Sequence, residues 1–126
     1  MNDAGRPPRV LIVEDDDGLR PLIRYALEQK GFRVACAENG AAALDVLGRE
    51  SVDLLIVDLQ MPVMDGLTLL RTLREQGRQY PVVVLSAAAE PSRELHLTAL
   101  GAAAVLRKPV PLSAILAAVQ GIVAWP

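Results

Sequence analysis

Cysteine is almost missing from this chain of 126 residues: Cys36 stands alone, so no disulfide can close within it. That fits a reducing compartment. No apolar run is long enough to cross a bilayer as a helix. The first residues, Met1 to Pro8, are polar and contain proline, unlike the apolar centre of a signal peptide. Runs of Lys and Arg are absent and the formal net charge is only -2. The whole domain therefore has no general attraction to nucleic acid or to anionic membrane. Linkers, low-complexity stretches and a second domain are also missing. These absences lead to an expectation of one soluble, cytoplasmic domain that binds neither nucleic acid nor membrane directly. Apolar residues make up 52% of the chain, enough for a substantial core and too many for a disordered segment. The boundaries expected are an extension over 1–8, the domain over 9–123 and a tail over 124–126.

What is present is an alternation. Arg9-Val10-Leu11-Ile12-Val13 is a short apolar run that stops at Glu14-Asp15-Asp16-Asp17. A continuous apolar run reads as a strand buried on both faces, as in a parallel sheet. Leu19, Leu22, Ile23, Ala26 and Leu27 then recur at helical spacing, with Pro21 tolerable in the first turn and Gly31 as the stop. The pattern repeats. Arg33 to Ala37 reads as a second strand, and Asn39 caps a helix running to about Leu47. Val52 to Val57 is a third strand ending at Asp58, and Asp65 caps a helix carrying Leu69, Leu70 and Leu73. Pro81 to Leu85 is a fourth strand ending at Ser86, and Pro91-Ser92 opens a short helix that closes at Gly101. Ala103 to Leu106 is a fifth strand before Lys108-Pro109, and Pro111 opens a last helix. Strands alternating with helices imply a doubly wound parallel sheet covered on both faces. Five such units favour the flavodoxin-like order 2-1-3-4-5 over the dinucleotide-binding one.

In open α/β sheets, ligands bind beyond the carboxyl ends of the strands. Strand counting places Glu14 and Asp15 there after the first strand, Asp58 and Gln60 after the third, Ser86 after the fourth and Lys108 after the fifth. Crowded carboxylates repel unless a cation or a proton intervenes. Mg²⁺ takes a few carboxylates, a carbonyl and waters, which Glu14, Asp15, Asp58 and one backbone carbonyl can supply. Lys108 adds a positive charge and Ser86 a hydroxyl. That collection suits a transferring phosphoryl group, whose chemistry is mostly positioning and charge stabilisation. A carboxylate can itself be the acceptor, giving an aspartyl phosphate.

Four segments then carry a resemblance: Val10-Leu11-Ile12-Val13-Glu14-Asp15-Asp16; Asp53-Leu54-Leu55-Ile56-Val57-Asp58-Leu59-Gln60-Met61-Pro62-Val63-Met64-Asp65-Gly66; Val84-Leu85-Ser86-Ala87; and Arg107-Lys108-Pro109. In this order and spacing, over about residues 9 to 123, the chain resembles the receiver domains of two-component response regulators. The resemblance implies that Asp58 accepts a phosphoryl group from a sensor histidine kinase or phosphotransfer protein. It implies that Mg²⁺ is held by Asp15 and Asp58, by Glu14 directly or through water, and by the carbonyl of Gln60. It implies that Ser86 moves toward the phosphoryl group, that Lys108 pairs with a phosphoryl oxygen, and that the Lys108-Pro109 bond is cis. The output surface implied is that of the fourth helix, fifth strand and fifth helix, which controls a partner, a second copy or an attached output domain.

The chain also departs from the family pattern. The family often carries Tyr or Phe three residues before the lysine, where this chain has Val105, so a switch through Ser86 and Val105 works without a rotating ring. Gln60 and Ala88 stand where the family tunes dephosphorylation.

Taken singly, each of these residues has a plainer reading. Glu14 to Asp17 alone is a solvated helix start, Asp58 a turn residue, Ser86 a helix cap and Lys108 a surface lysine. His96 reads as solvated, Cys36 as a small core residue, and Trp125 as either a cover for the last helix or an exposed end. The outer face of that helix, Ser113, Ala114, Ala117, Ala118, Gln120 and Gly121, is small and neutral. It suits either packing against another surface or simple helix propensity. A phosphohydrolase would want an acid at Gln60 and a substrate cap, and a flavin carrier would not tolerate the acidic loop at Glu14 to Asp17. The expectation is a phospho-accepting switch rather than a metabolic enzyme.

Overall fold

A computed structural model describes residues 5–87 and 91–125. Its elements alternate as β1 (Arg9–Val13), α1 (Leu19–Gln29), β2 (Arg33–Ala37), α2 (Gly40–Arg49), β3 (Leu54–Asp58), α3 (Gly66–Glu75), β4 (Val82–Ser86), α4 (Pro91–Ala99), β5 (Ala102–Arg107) and α5 (Leu112–Ile122). The sheet has five strands in the order β2-β1-β3-β4-β5, and every pairing is parallel. This is the doubly wound, flavodoxin-like order expected from the alternation.

The central strands β1, β3 and β4 are buried on both faces, which explains why their residues are apolar without alternation. Their side chains divide between two cores. Leu11, Val13, Leu55, Val57, Val82 and Val84 pack with Ala43, Leu47, Leu69, Leu73 and Leu97 from α2, α3 and α4. Val10, Ile12, Leu54, Ile56, Val83 and Leu85 pack with Ile23, Leu27, Ile115 and Val119 from α1 and α5.

The helix ends follow the local chemistry. The Asn39 side chain accepts from Ala42 N at 2.9 Å and the Asp65 side chain from Thr68 N at 2.8 Å, so both expected caps are in place. Gly31, at φ 92°, closes α1: its N–H bonds Glu28 O, and Phe32 N–H bonds Leu27 O. The Trp125 ring packs on this turn, so close that a Cβ on Gly31 would lie 2.8 Å from Nε1. Trp125 is thus half-buried on the α1–α5 side.

Boundaries shift slightly from the sequence reading. β3 begins at Leu54, because Val52 and Asp53 belong to the approach: Asp53 bonds the Arg9 backbone through both its N–H and its carboxylate. Asp58 and Ser86 are the last residues of their strands, paired in register with Leu85 and Arg107. α2 runs on to Arg49, and β5 covers Ala102–Arg107. Among the described residues, no helix is long and apolar enough to cross a membrane.

Candidate functional site

Four strand ends deliver the site. Glu14 directly follows β1 and is held by its N–H to Ala37 O at 3.0 Å, which buries its side chain completely. Asp58, at the end of β3, is 2% exposed, and Ser86, at the end of β4, is 1% exposed. Ser86 O accepts from Lys108 N at 2.8 Å, so the end of β4 places the lysine. The Lys108-Pro109 bond is cis, as expected.

The side chains converge. Glu14, Asp15 and Asp58 offer carboxylate oxygens that all lie within 4.8 Å of one another. Lys108 Nζ stands 3.0 Å from Asp58 Oδ2 and 3.1 Å from Glu14 Oε1. The first contact is a hydrogen bond; the second is a charge contact only, because Glu14 Oε1 is buried without a hydrogen-bond partner. Asp58 Oδ1 accepts from Gln60 N at 3.1 Å, and Glu14 Oε2 accepts from Asp16 N at 3.3 Å. Gln60 itself is exposed at the mouth.

Burial, then the neighbouring Asp58, push the Glu14 carboxyl from its ordinary 4.5 to about 7. Burial pulls the Lys108 ammonium down, but its hydrogen bond to Asp58 and its charge contact with Glu14 outweigh that and raise it above the ordinary lysine value. Asp16 behaves differently from its neighbours. Its carboxylate turns to the start of α1, accepting from Leu19 N at 3.1 Å and Gly18 N at 2.7 Å, and these bonds lower its pKa. The acidic run thus divides: Glu14 and Asp15 join Asp58 in one carboxylate cluster, while Asp16 turns to the helix start.

Supporting residues escaped the sequence reading. Arg20 donates to Glu14 O at 2.8 Å and to Asp17 Oδ1 at 2.6 Å, clamping the loop from the first turn of α1. Gly66 lies against the end of β3, where a Cβ would come within 2.6 Å of Asp58 O. Gly40 receives the Met64 side chain, where a Cβ would meet Cγ at 2.7 Å, and Gly40 N bonds Met64 O. The glycine and methionine positions were visible; the partners they meet were not.

Val105 is half-buried, opposite Val84 in register and packed on the core that includes Leu97 of α4. Ala88 lies outside the described residues. His96 is exposed, with Nε2 3.4 Å from Arg71 of α3. Cys36 is half-buried in β2, where burial pushes its thiol up, in keeping with a packing role.

Comparison with known proteins gives one answer. Residues 10–120 match the family described as the response regulator receiver domain. The transcriptional regulatory protein GlrR of Escherichia coli is 38% identical over 115 residues, covering 91% of this chain and 26% of that protein. Response regulator MprA of a Mycobacterium species is 34% identical over 116 residues, covering 92% of this chain and 50% of that protein. The chain thus spans half or less of the length of these relatives. Among solved structures, the receiver domain of Francisella response regulator 1452 superposes with a TM-score of 0.86 at 29% identity, covering 91% of this chain and 95% of that one. The chemotaxis protein CheY4 of Vibrio cholerae superposes at 0.85 with 28% identity, covering 93% and 99%.

Proposed function

The chain belongs to the response regulator receiver domain family, and from that premise we propose that it is a phosphoacceptor switch whose acceptor is Asp58. The observation that carries this reading is the pairing of a buried carboxylate, Asp58, with Lys108 Nζ at 3.0 Å inside a cluster of further carboxylates. A sensor histidine kinase or phosphotransfer protein is the donor. An Asp58 oxygen attacks the phosphorus of a phosphohistidine, the P–N bond breaks, and the imidazole leaves with the bonding pair. The charge that develops on the phosphoryl oxygens is met by the Lys108 ammonium, held 3.0 Å from Asp58 Oδ2 on a residue whose backbone N–H bonds the Ser86 carbonyl.

The donor set also fits a hard divalent cation. All the side-chain ligands are oxygens, they lie within reach of one another, and Glu14 Oε1 is buried without a hydrogen-bond partner. Glu14, Asp15 and Asp58 would hold Mg²⁺, with the carbonyl of Gln60 as a further ligand. When bound, Mg²⁺ supplies charge neutralisation among these carboxylates and the incoming phosphoryl oxygens.

The product of the reaction is a conformation. Phosphorylation adds charge and acceptor oxygens at the end of β3. Ser86 is drawn toward them, and Val105, across from β4, passes the change to the surface of α4, β5 and α5 through packing. That surface then acts on a partner, a second copy or an attached output domain.

The test is an intact-mass measurement after incubation with a small acyl phosphate. A single phosphoryl adduct that needs Mg²⁺ and is lost in Asp58→Asn is expected. An adduct that persists in Asp58→Asn would overturn the assignment of the acceptor. Absence of any adduct on folded, Mg²⁺-binding protein, with acyl phosphate and with phosphorylated kinase alike, would overturn the phosphoacceptor reading.

A further inference from the structure

The end of the sheet opposite Asp58 holds a cavity of about 720 Å³, between the last turns of α3 and α4 and the starts of β4 and β5. Its floor is apolar: Leu70, Leu73 and Val82 are buried and Leu100 is half-buried. Its rim is cationic, formed by Arg74 and Arg78, and no acidic residue lines it. Arg74 donates to Ala99 O at 2.8 Å. Arg78 donates to Leu47 O at 2.7 Å and to Tyr80 Oη at 3.1 Å, with its guanidinium 5.8 Å from the Tyr80 ring centroid.

These bonds cap the ends of α4 and α2 and hold both side chains in fixed positions. They do not neutralise them. Among the described residues, neither guanidinium forms an ion pair with a carboxylate. Two fixed cations without counter-charges, beside an apolar floor and a cavity in the usual range for small-molecule sites, make a defined chemical demand.

We propose that this cavity binds a small organic anion: a carboxylate or phosphate monoester carrying an apolar body. The acid group meets the forks of Arg74 and Arg78, which suit planar or multi-oxygen anions. The body lies over the buried Leu70, Leu73 and Val82 and covers the part of Leu100 that is still exposed to water. Such a ligand joins α3 to α4 at the end of the sheet remote from Asp58. The inference does not depend on the phosphoacceptor reading, since none of these residues belongs to that site.

The test is a methyl NMR titration of the full chain in Mg²⁺-free buffer, with phenyl phosphate, benzoate and neutral benzyl alcohol as probes. At least one of the two anions is expected to shift the methyls of Leu73, Val82 and Leu100, and the alcohol to bind about tenfold more weakly or worse. The phosphate and carboxylate arms show which acid is preferred. Arg74→Gln is expected to weaken the anion about tenfold. Thr98→Glu, an exposed rim residue outside both caps, places a carboxylate at the mouth and is expected to do the same while leaving the fold intact. The proposal fails if neither anion moves those methyls at millimolar concentration. It also fails if the alcohol binds as well as the anions, or if folded Arg74→Gln and Thr98→Glu bind like the parent.

Discussion

At the amino ends of the strands, charged side chains complete the backbone. Asp53 accepts from Arg9 N at 2.8 Å, Arg33 donates to Pro7 O at 2.8 Å, and Arg78 donates to Leu47 O at 2.7 Å. At the carboxyl ends, Glu14 and Asp58 are buried side by side and share one ammonium, and Glu14 Oε1 is left without a hydrogen bond. The same sheet thus has one end where polar groups lower the free energy of the fold and one where they raise it. The difference matches the division of labour proposed: a site proposed to receive a cation and a phosphoryl group keeps one buried carboxylate oxygen, Glu14 Oε1, unsatisfied, while the far end supports the frame.

The strongest way to break this comparison is to remove the shared cation. Lys108→Met leaves two buried carboxylates facing each other, and loss of one partner from a buried charge cluster costs about 3 kcal/mol. Chemical denaturation at pH 8 without divalent cations is expected to show a loss of that order, partly recovered by Mg²⁺. A loss no larger than that of an exposed lysine would mean that the carboxylates do not oppose each other.

A smaller effect comes from pH. Glu14 is raised to about 7 in the fold from an ordinary 4.5. The folded state then binds more protons than the unfolded state between these values, so stability falls as pH rises through that window. The cost is absent below the ordinary value and complete above about 7. A raised pKa costs about 1.4 kcal/mol per unit, so the loss is on the order of a few kcal/mol. Lys108 is raised above its ordinary value and stays charged throughout this window, so it adds no slope there. Denaturation between pH 5 and 8 in chelator is expected to show the decline, and Glu14→Gln to flatten it. A flat profile in the parent protein would sink the assignment of strain to Glu14.

Much of this contrast could be read from residue order, because it depends on where strands stop. Glu14, Asp15, Asp58, Ser86 and Lys108 were all placed at one edge by counting alternations, and the structure brings them there. Asn39 and Asp65 announced their caps because a cap acts within three residues. What stayed hidden depends on separation in the chain. Arg78 reaches Leu47 across 31 residues and Arg74 reaches Ala99 across 25, and no local pattern marks either partner. The depth at which Glu14 sits was equally illegible, since the same acidic run sends Asp16 outward to cap α1.

The amino end offers a matched control. Arg78→Gln removes the donor to Leu47 O and the contact with Tyr80. Loss of a partly exposed hydrogen bond costs about 1 kcal/mol. Because no raised or lowered carboxyl is involved, that loss is expected to be the same at pH 5 and pH 8. A loss that varies with pH would tie Arg78 to a titrating group and blur the distinction between the two ends.

The smallest effect tests whether the carboxyl end also stores backbone strain. Val63 has φ 68°, and Met64 N bonds Pro62 O at 2.8 Å, a three-residue turn that a β-branched residue adopts reluctantly. Its side chain is 86% exposed, so nothing is gained by packing it. The turn does place Met64 on Gly40, which locks the loop after Asp58 to the start of α2. Val63→Gly removes a conformational cost of about 1–2 kcal/mol, while the freer unfolded chain takes back about 0.5–1 kcal/mol. A net gain of about 0.5 kcal/mol is therefore expected by denaturant melting, with Met64 still on Gly40. A loss of stability instead would show that Val63 adopts this turn without strain, and would confine the stored cost at this end of the sheet to its charges.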